Sequence, residues 1–155
     1  MKLRIVSSSH KLPEWAQAAC ADYLRRLPRE LLPETVELKP APRDQGRTPA
    51  QILDIEAERI AAATRGYQVA ALDQRGQSWT SAHFAKTLAD WRDRGLATAF
   101  VIGSADGLAE SVKRNANVIL SLSALTLPHG LVRVVLAEQI YRAATLIQGH
   151  PYHRE

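Results

Sequence analysis

From Tyr67 onward the chain alternates short apolar runs with segments of helical period, and that alternation limits the possible folds more than any other feature. Tyr67–Asp73, Ala97–Gly103 and Asn117–Ser121 read as strands, separated by helices at about Ser81–Arg94 and Leu108–Asn115. Strands alternating with helices predict an α/β fold with a parallel sheet covered on both faces. The N-terminal part begins in the same way. Residues 2–7 and 35–39 read as strands around a helix that Pro13 opens and Pro28 closes. Thr48 and Pro49 form an N-cap and first turn, and the helix they start runs to about Thr64 with Ile52, Ile55, Glu56 and Ile60 on one face. The last helix, about Leu131–Gln148, is apolar on nearly every side, through Leu131, Val132, Val134, Val135, Leu136, Ile140, Ala143, Ala144, Leu146 and Ile147. Helices of that kind usually lie between two bodies, so a subunit interface is expected on it.

A chain of 155 residues is most simply one domain, 1–155, with a site that a second subunit completes. Its 20 Lys and Arg against 16 Asp and Glu leave a net charge of +4, compatible with an anionic partner but no histone-like excess. Lys39–Arg47 sets basic residues among Pro and Gly, which predicts a solvated, mobile loop, solubilising or in contact with RNA phosphate. Cys20 is the only cysteine; with Ala16, Tyr23 and Leu27 near helical spacing it reads as a buried small hydrophobe rather than a nucleophile. The N-terminus has no apolar signal core, and nowhere do about 18 apolar residues run together, so a soluble, cytoplasmic protein away from membranes is expected.

Ser121–His129 is too apolar for an ordinary exposed loop and too broken for a strand. Its leucines offer walls for a flat heteroaromatic ligand, and its backbone groups need partners once they leave water. It follows one strand, as Leu72-Asp73 and Ile102-Gly103-Ser104-Ala105-Asp106-Gly107 close two others, so three carboxyl ends can line one crevice. Gly103 and Gly107 would let backbone approach a ligand there. The first strand ends in Ser7-Ser8-Ser9-His10, without the Gly-rich loop of a dinucleotide-binding fold; a Walker loop and a Gly-x-Ser-x-Gly elbow are missing too. His129, His150 and His153 lack a matching Cys or carboxylate pair, so no metal is expected. Glu138 and Arg142 stand at i, i+4 and can be either an interfacial ion pair or a pair that orients a base and manages a proton. The tail His150–Glu155 is either a frayed terminus or a device for stacking on a base and touching phosphate.

These residues together resemble the RlmH family, the small single-domain members of the SPOUT superfamily of RNA methyltransferases. The likeness spans Lys2-Leu3, Tyr23-Leu24-Arg25-Arg26, Leu72-Asp73, Ile102-Gly103, the loop Ser121–His129, Leu131-Val132-Arg133-Val134, Ala137-Glu138, Tyr141-Arg142-Ala143 and His150-Pro151-Tyr152-His153-Arg154-Glu155. It implies a C-terminal trefoil knot whose loops bind S-adenosyl-L-methionine, with Leu72, Gly103, Leu122, Ser123, Ala124, Leu125, Thr126 and Leu127 around the cofactor. It also implies a homodimer that methylates N3 of a pseudouridine in large-subunit ribosomal RNA; the short chain, without an added RNA-binding domain, favours the assembled ribosome over free RNA as substrate without fixing the choice. Two departures stand out: Gly103-Ser104-Ala105-Asp106-Gly107 replaces the family's usual Gly-Gly-Pro-Glu-Gly turn, and Gly130 stands where Pro is frequent. Asp106 keeps the negative charge on a shorter stem.

Methyl transfer from a sulfonium needs positioning of the donor and removal of the acceptor's imide proton. Glu138 or His153 is expected to accept that proton, Arg142 or Arg154 to give electrostatic support, and Tyr152 to stack on or hydrogen-bond the uracil ring. The rival readings are an RNA-binding protein without catalysis and a SPOUT enzyme acting on another RNA such as tRNA.

Overall fold

A computed structural model describes residues 1–153. The elements follow the order β1 (Leu3–Ser8), α1 (Glu14–Leu24), β2 (Glu34–Leu38), α2 (Pro49–Ala63), β3 (Gln68–Ser78), α3 (Ser81–Asp93), β4 (Thr98–Ile102), α4 (Glu110–Asn115), β5 (Val118–Ser121) and α5 (His129–Gln148), with short 3-10 turns at Arg29–Leu31 and Pro151–His153. The five strands form one sheet in the order β2-β1-β4-β3-β5, and every pairing is parallel. Such a sheet must be covered on both faces, and it is. On one side Leu3, Ile5, Leu72, Phe100 and Leu120 pack with Phe84 and Leu88 of α3 and Leu136, Ile140 and Ala143 of α5. On the other, Val6, Ala71, Ala99 and Val101 meet Ile60 of α2 and Val112 of α4.

Local chemistry sets most boundaries. Thr48 caps α2 with a full capping box: its hydroxyl accepts from Gln51 N–H, and the Gln51 side chain accepts from Thr48 N–H. Thr80 caps α3 in the simpler way, accepting from His83 N–H. Gly149, at φ 69°, ends α5 in the left-handed conformation that favours glycine. Cys20 is buried, and burial pushes its thiol up from the ordinary range, which suits packing rather than nucleophilic attack.

Three expectations need correction. The strand predicted to stop at Asp73 continues to Ser78, because residues 73–76 bulge out between two stretches that pair with β5: Leu72 and Gln77 both lie opposite Leu120. The final helix begins at His129 rather than Leu131, with Pro128 as its N-cap, so His129 belongs to the helix and not to the loop. The segment 39–47 is tied down rather than free. Ala41 is 3 % exposed and donates its N–H to the buried Glu56 carboxylate at 3.1 Å, and Arg43 pairs with Asp106 at 2.8 Å.

Helix α5 accounts for its apolar circumference only in part. Leu136, Ala137, Ile140, Ala143 and Ala144 are buried in the chain's own core, whereas Val132, Val134, Val135, Leu146 and Ile147 remain half-buried and Leu131 is exposed. Among the described residues no helix is long and apolar enough to cross a membrane.

Candidate active site

The carboxyl ends of β1, β4, β3 and β5 open into one crevice of 1180 Å³, larger than an ordinary small-molecule pocket. One wall is the loop between β5 and α5, with Leu72 and Gly103 beside it. Leu122, Ser123, Leu125, Thr126 and Leu127 all line the crevice; Ala124, expected with them, is exposed and does not. The hydroxyl residues of this loop serve the loop itself. Ser121 Oγ donates to the Ser123 carbonyl at 2.9 Å, Ser123 Oγ accepts from Leu125 N–H at 3.0 Å, and Thr126 Oγ1 bonds Gln74 Oε1 at 2.9 Å across to the β3 bulge. Polar backbone is thereby satisfied, and Leu125 stands 73 % exposed at the mouth.

The Gly103–Gly107 turn forms the floor. Gly107 has φ 83° and donates its N–H to the Ser104 carbonyl at 2.9 Å. Gly103 does not need a positive φ; it needs to be small, because a Cβ there would sit 2.4 Å from the Gly107 carbonyl oxygen. The close approach is to the turn's own backbone rather than to a ligand. Glu56, 3 % exposed, braces this floor from α2: one carboxylate oxygen accepts from Ser104 Oγ at 2.6 Å and the other from Ala41 N–H. Glu56→Ala is therefore expected to destabilise the protein by about 1–3 kcal/mol, by orphaning a buried N–H, and to free residues 39–47. Urea unfolding and the rate of tryptic cleavage at Arg43 and Arg47 would check both effects; a variant matching the parent in both would sink the bracing role.

The other wall is cationic; the basic segment 39–47 was foreseen as a possible phosphate contact, but the part played by the end of β1 was missed from sequence. Ser8, Ser9, His10 and Lys11 at the end of β1 line the crevice with Lys39 and Arg43. Three small polar residues after a strand are a weak signal, read above only as the absence of a Gly-rich loop. Behind them Arg133 of α5, 5 % exposed, donates to Ser7 Oγ at 2.9 Å and reaches Glu37 at 3.5 Å. His129, one turn earlier on the same helix, lines the crevice too. Burial first, then the Arg133 charge, hold its pKa below the ordinary histidine value despite the opposing effects of Gly103 and Glu37.

The residues expected to handle the proton lie elsewhere. Glu138 Oε1 accepts from Arg142 Nε at 2.9 Å and from Tyr152 OH at 3.1 Å, and Oε2 accepts from Gln139 Nε2 at 2.6 Å. The Arg142 guanidinium lies over the Tyr152 ring, 5.1 Å from its centroid, and Tyr152 meets Tyr141 edge-on. Burial, followed by the Glu138 charge, keeps the Tyr152 phenol protonated far above neutral pH. The structure thus gathers Glu138, Arg142 and Tyr152, but none of them lines the crevice. Nδ1 of His153 is buried with no hydrogen-bond partner among the described residues. Arg154 lies outside the described residues. Among those described, no group of three or more His, Cys, Asp or Glu side chains is placed to hold a metal ion.

Comparison with known proteins fixes the context of this crevice. A family model described as "Predicted SPOUT methyltransferase" matches residues 1–153. The chain belongs to the SPOUT methyltransferase family. Relatives named Ribosomal RNA large subunit methyltransferase H are similar end to end: that of Methylobacillus flagellatus is 49 % identical over 100 % of both chains, and that of Nitrosospira multiformis 47 % over 99 % of both. Among solved structures, a probable methylase family protein from Haemophilus influenzae shares the fold at a TM-score of 0.63 and 14 % identity, over 99 % of this chain and 70 % of that one. Family membership makes the chain an enzyme and sets aside the reading as an RNA-binding protein without catalysis.

Proposed function

We propose that this protein transfers the methyl group of S-adenosyl-L-methionine to N3 of a pseudouridine in large-subunit ribosomal RNA, acting on the assembled ribosome in the cytoplasm. The end-to-end likeness to large-subunit rRNA methyltransferases carries this reading. The crevice suits that cofactor: Leu72, Leu122, Leu125 and Leu127 offer apolar faces for adenine, beside the Gly103–Gly107 turn. When bound, the cofactor supplies a methyl group already activated as a sulfonium. This chain's residues would position it and exclude water, while Lys11, Lys39 and Arg43 on the opposite wall suit RNA phosphate.

On this reading residues 1–155 are one domain, and the segment from β3 onward is a trefoil knot. The strand order, with β3 between β4 and β5, and the loop 122–128 bonded back to Gln74 support that threading. The same reading makes the protein a homodimer. Trp15, Leu125 and Leu131, three of the four exposed large hydrophobic residues among those described, sit at the crevice mouth or beside residues that line it, where a second copy would cover them. That copy would bring its Glu138, Arg142, Tyr152 and His153 cluster, with Arg154, to the acceptor nucleotide.

Nucleoside analysis of ribosomal RNA from cells with and without this protein tests the reading. N3-methylated pseudouridine should vanish from the large subunit when the protein is absent and return when purified protein and S-adenosyl-L-methionine are added to those ribosomes. Its persistence without the protein, or a loss confined to tRNA, would overturn the proposed substrate.

A further inference from the structure

Glu56 is a carboxylate at a place where an apolar residue would pack. It shares the buried face of α2 with Ile52 and Ile60 and is 3 % exposed, and burying a carboxylate costs free energy unless hydrogen bonds replace its water. Here they do, and the two donors come from different parts of the crevice. Ser104 Oγ, on the floor after β4, donates at 2.6 Å, and Ala41 N–H, in the segment that carries Lys39 and Arg43, donates at 3.1 Å. One turn further along α2, Arg59 donates to the Lys39 carbonyl, so the helix holds that segment on both sides of Pro40. Glu56 itself does not line the crevice.

We propose that Glu56 is a positioning residue for methyl transfer: by bonding Ser104 and Ala41 with one carboxylate, it fixes the spacing between the floor that bears the cofactor and the cationic segment that holds the RNA. This rests on the reading of the crevice as the place where S-adenosyl-L-methionine and ribosomal RNA meet. In-line displacement requires the methyl carbon and the acceptor nitrogen to be held close and aligned, and an error of about 1 Å can cost about 100-fold in rate. Residues 103–107 and 39–47 both lie outside the strands and helices. Their spacing is therefore set by what ties them to each other.

A second tie joins the same two segments, Arg43 to Asp106 at 2.8 Å, but with side chains 50 % and 29 % exposed it lies where solvent weakens ion pairs. A phosphate bound by Arg43 would compete with Asp106 for the guanidinium, so this tie is weakest when substrate is present. The buried Glu56 carboxylate faces no such competition. The turn's own shape does not depend on it either, since Gly107 N–H donates to the Ser104 carbonyl at 2.9 Å. Releasing Ser104 from Glu56 should therefore leave each ligand its site and disturb their alignment.

Steady-state methylation of large ribosomal subunits from cells lacking this protein tests the role, with rates expressed per cofactor-binding site counted by calorimetry. Ser104→Ala should lower kcat by about tenfold or more, while the KM for subunits and the affinity for S-adenosyl-L-methionine stay within about threefold of the parent. Glu56→Gln should keep kcat within about threefold of the parent, because its amide can accept from Ala41 N–H and donate to Ser104 Oγ. Placed in Glu56→Ala, the Ser104→Ala change should cause no further loss, since the bond it removes is already gone. If Glu56 merely stabilised the fold, Glu56→Ala would lower the urea midpoint and keep the parental kcat per site, and the proposal would be overturned. A parental kcat in Ser104→Ala, or a Glu56→Gln variant as slow as Glu56→Ala, would overturn it too. So would a loss of cofactor affinity in Ser104→Ala that matches the loss of kcat, by making Ser104 a direct cofactor contact. If the parental protein itself leaves N3 unmethylated, the methyl-transfer reading fails and the positioning role with it; parental activity beside a fast Ser104→Ala variant fails the positioning role alone.

Discussion

Gly76→Ala is expected to destabilise the protein by about 3 kcal/mol or more. Gly76 ends the bulge that carries Asp73, Gln74 and Arg75 into the crevice and brings β3 back to β5. A Cβ at this position would lie 2.7 Å from the carbonyl carbon and oxygen of Ile119 and 2.8 Å from the carbonyl carbon of Leu120. All three are backbone atoms, so no side-chain rotation relieves the clash. Either β3 and β5 separate or the bulge is remade, and both cost ladder hydrogen bonds. Urea unfolding at fixed protein concentration should show a lower midpoint, whereas an unchanged midpoint would mean that the crossing is looser than described.

Gly103→Ala should act on ligand binding more than on global stability. The added carbon would sit 2.4 Å from the Gly107 carbonyl oxygen and 3.0 Å from Leu108 Cγ. Gly107 cannot simply withdraw, since its φ of 83° and its hydrogen bond to Ser104 define the turn. The turn must therefore open, which moves the crevice floor. Affinity for S-adenosyl-L-methionine is expected to weaken by at least about tenfold, or roughly 1.4 kcal/mol. Calorimetry giving the parental constant would remove the turn from the cofactor site.

The sequence revealed those parts of the molecule whose signals are local. The Thr48-Pro49 cap, the alternating strands and the apolar loop after Ser121 each announce themselves within a few residues, and each is present. The β3 extension was hidden because Gln74-Arg75-Gly76-Gln77 is polar and broken by glycine, the composition of a turn, although a lone glycine in a strand also marks a bulge. The start of α5 was misplaced because Pro128 and Gly130 look like loop residues, whereas Pro128 supplies the fixed φ of an N-cap and His129 follows it into the helix. Glu56 was legible as a member of the α2 face but not as a brace, since its partners Ala41 and Ser104 are remote in sequence. The polar wall was illegible for the same reason: Ser7, Gly103, His129 and Arg133 meet only because the β1–β4 register and the packing of α5 bring them together.

Helix α5 is a rod that sets His129 on the crevice at its start and carries Glu138 at its middle. Glu138 stands nine residues after His129, about 14 Å along the axis at 1.5 Å per residue, too far for both to touch one nucleotide. In the proposed homodimer each reaction centre would combine the head of one copy's rod with the tail of the other's. Genetic complementation then acquires a handedness. A head defect in one chain and a tail defect in the other fall together in one centre and leave the second whole. Both defects in a single chain, paired with an unaltered partner, fall in separate centres and silence the two.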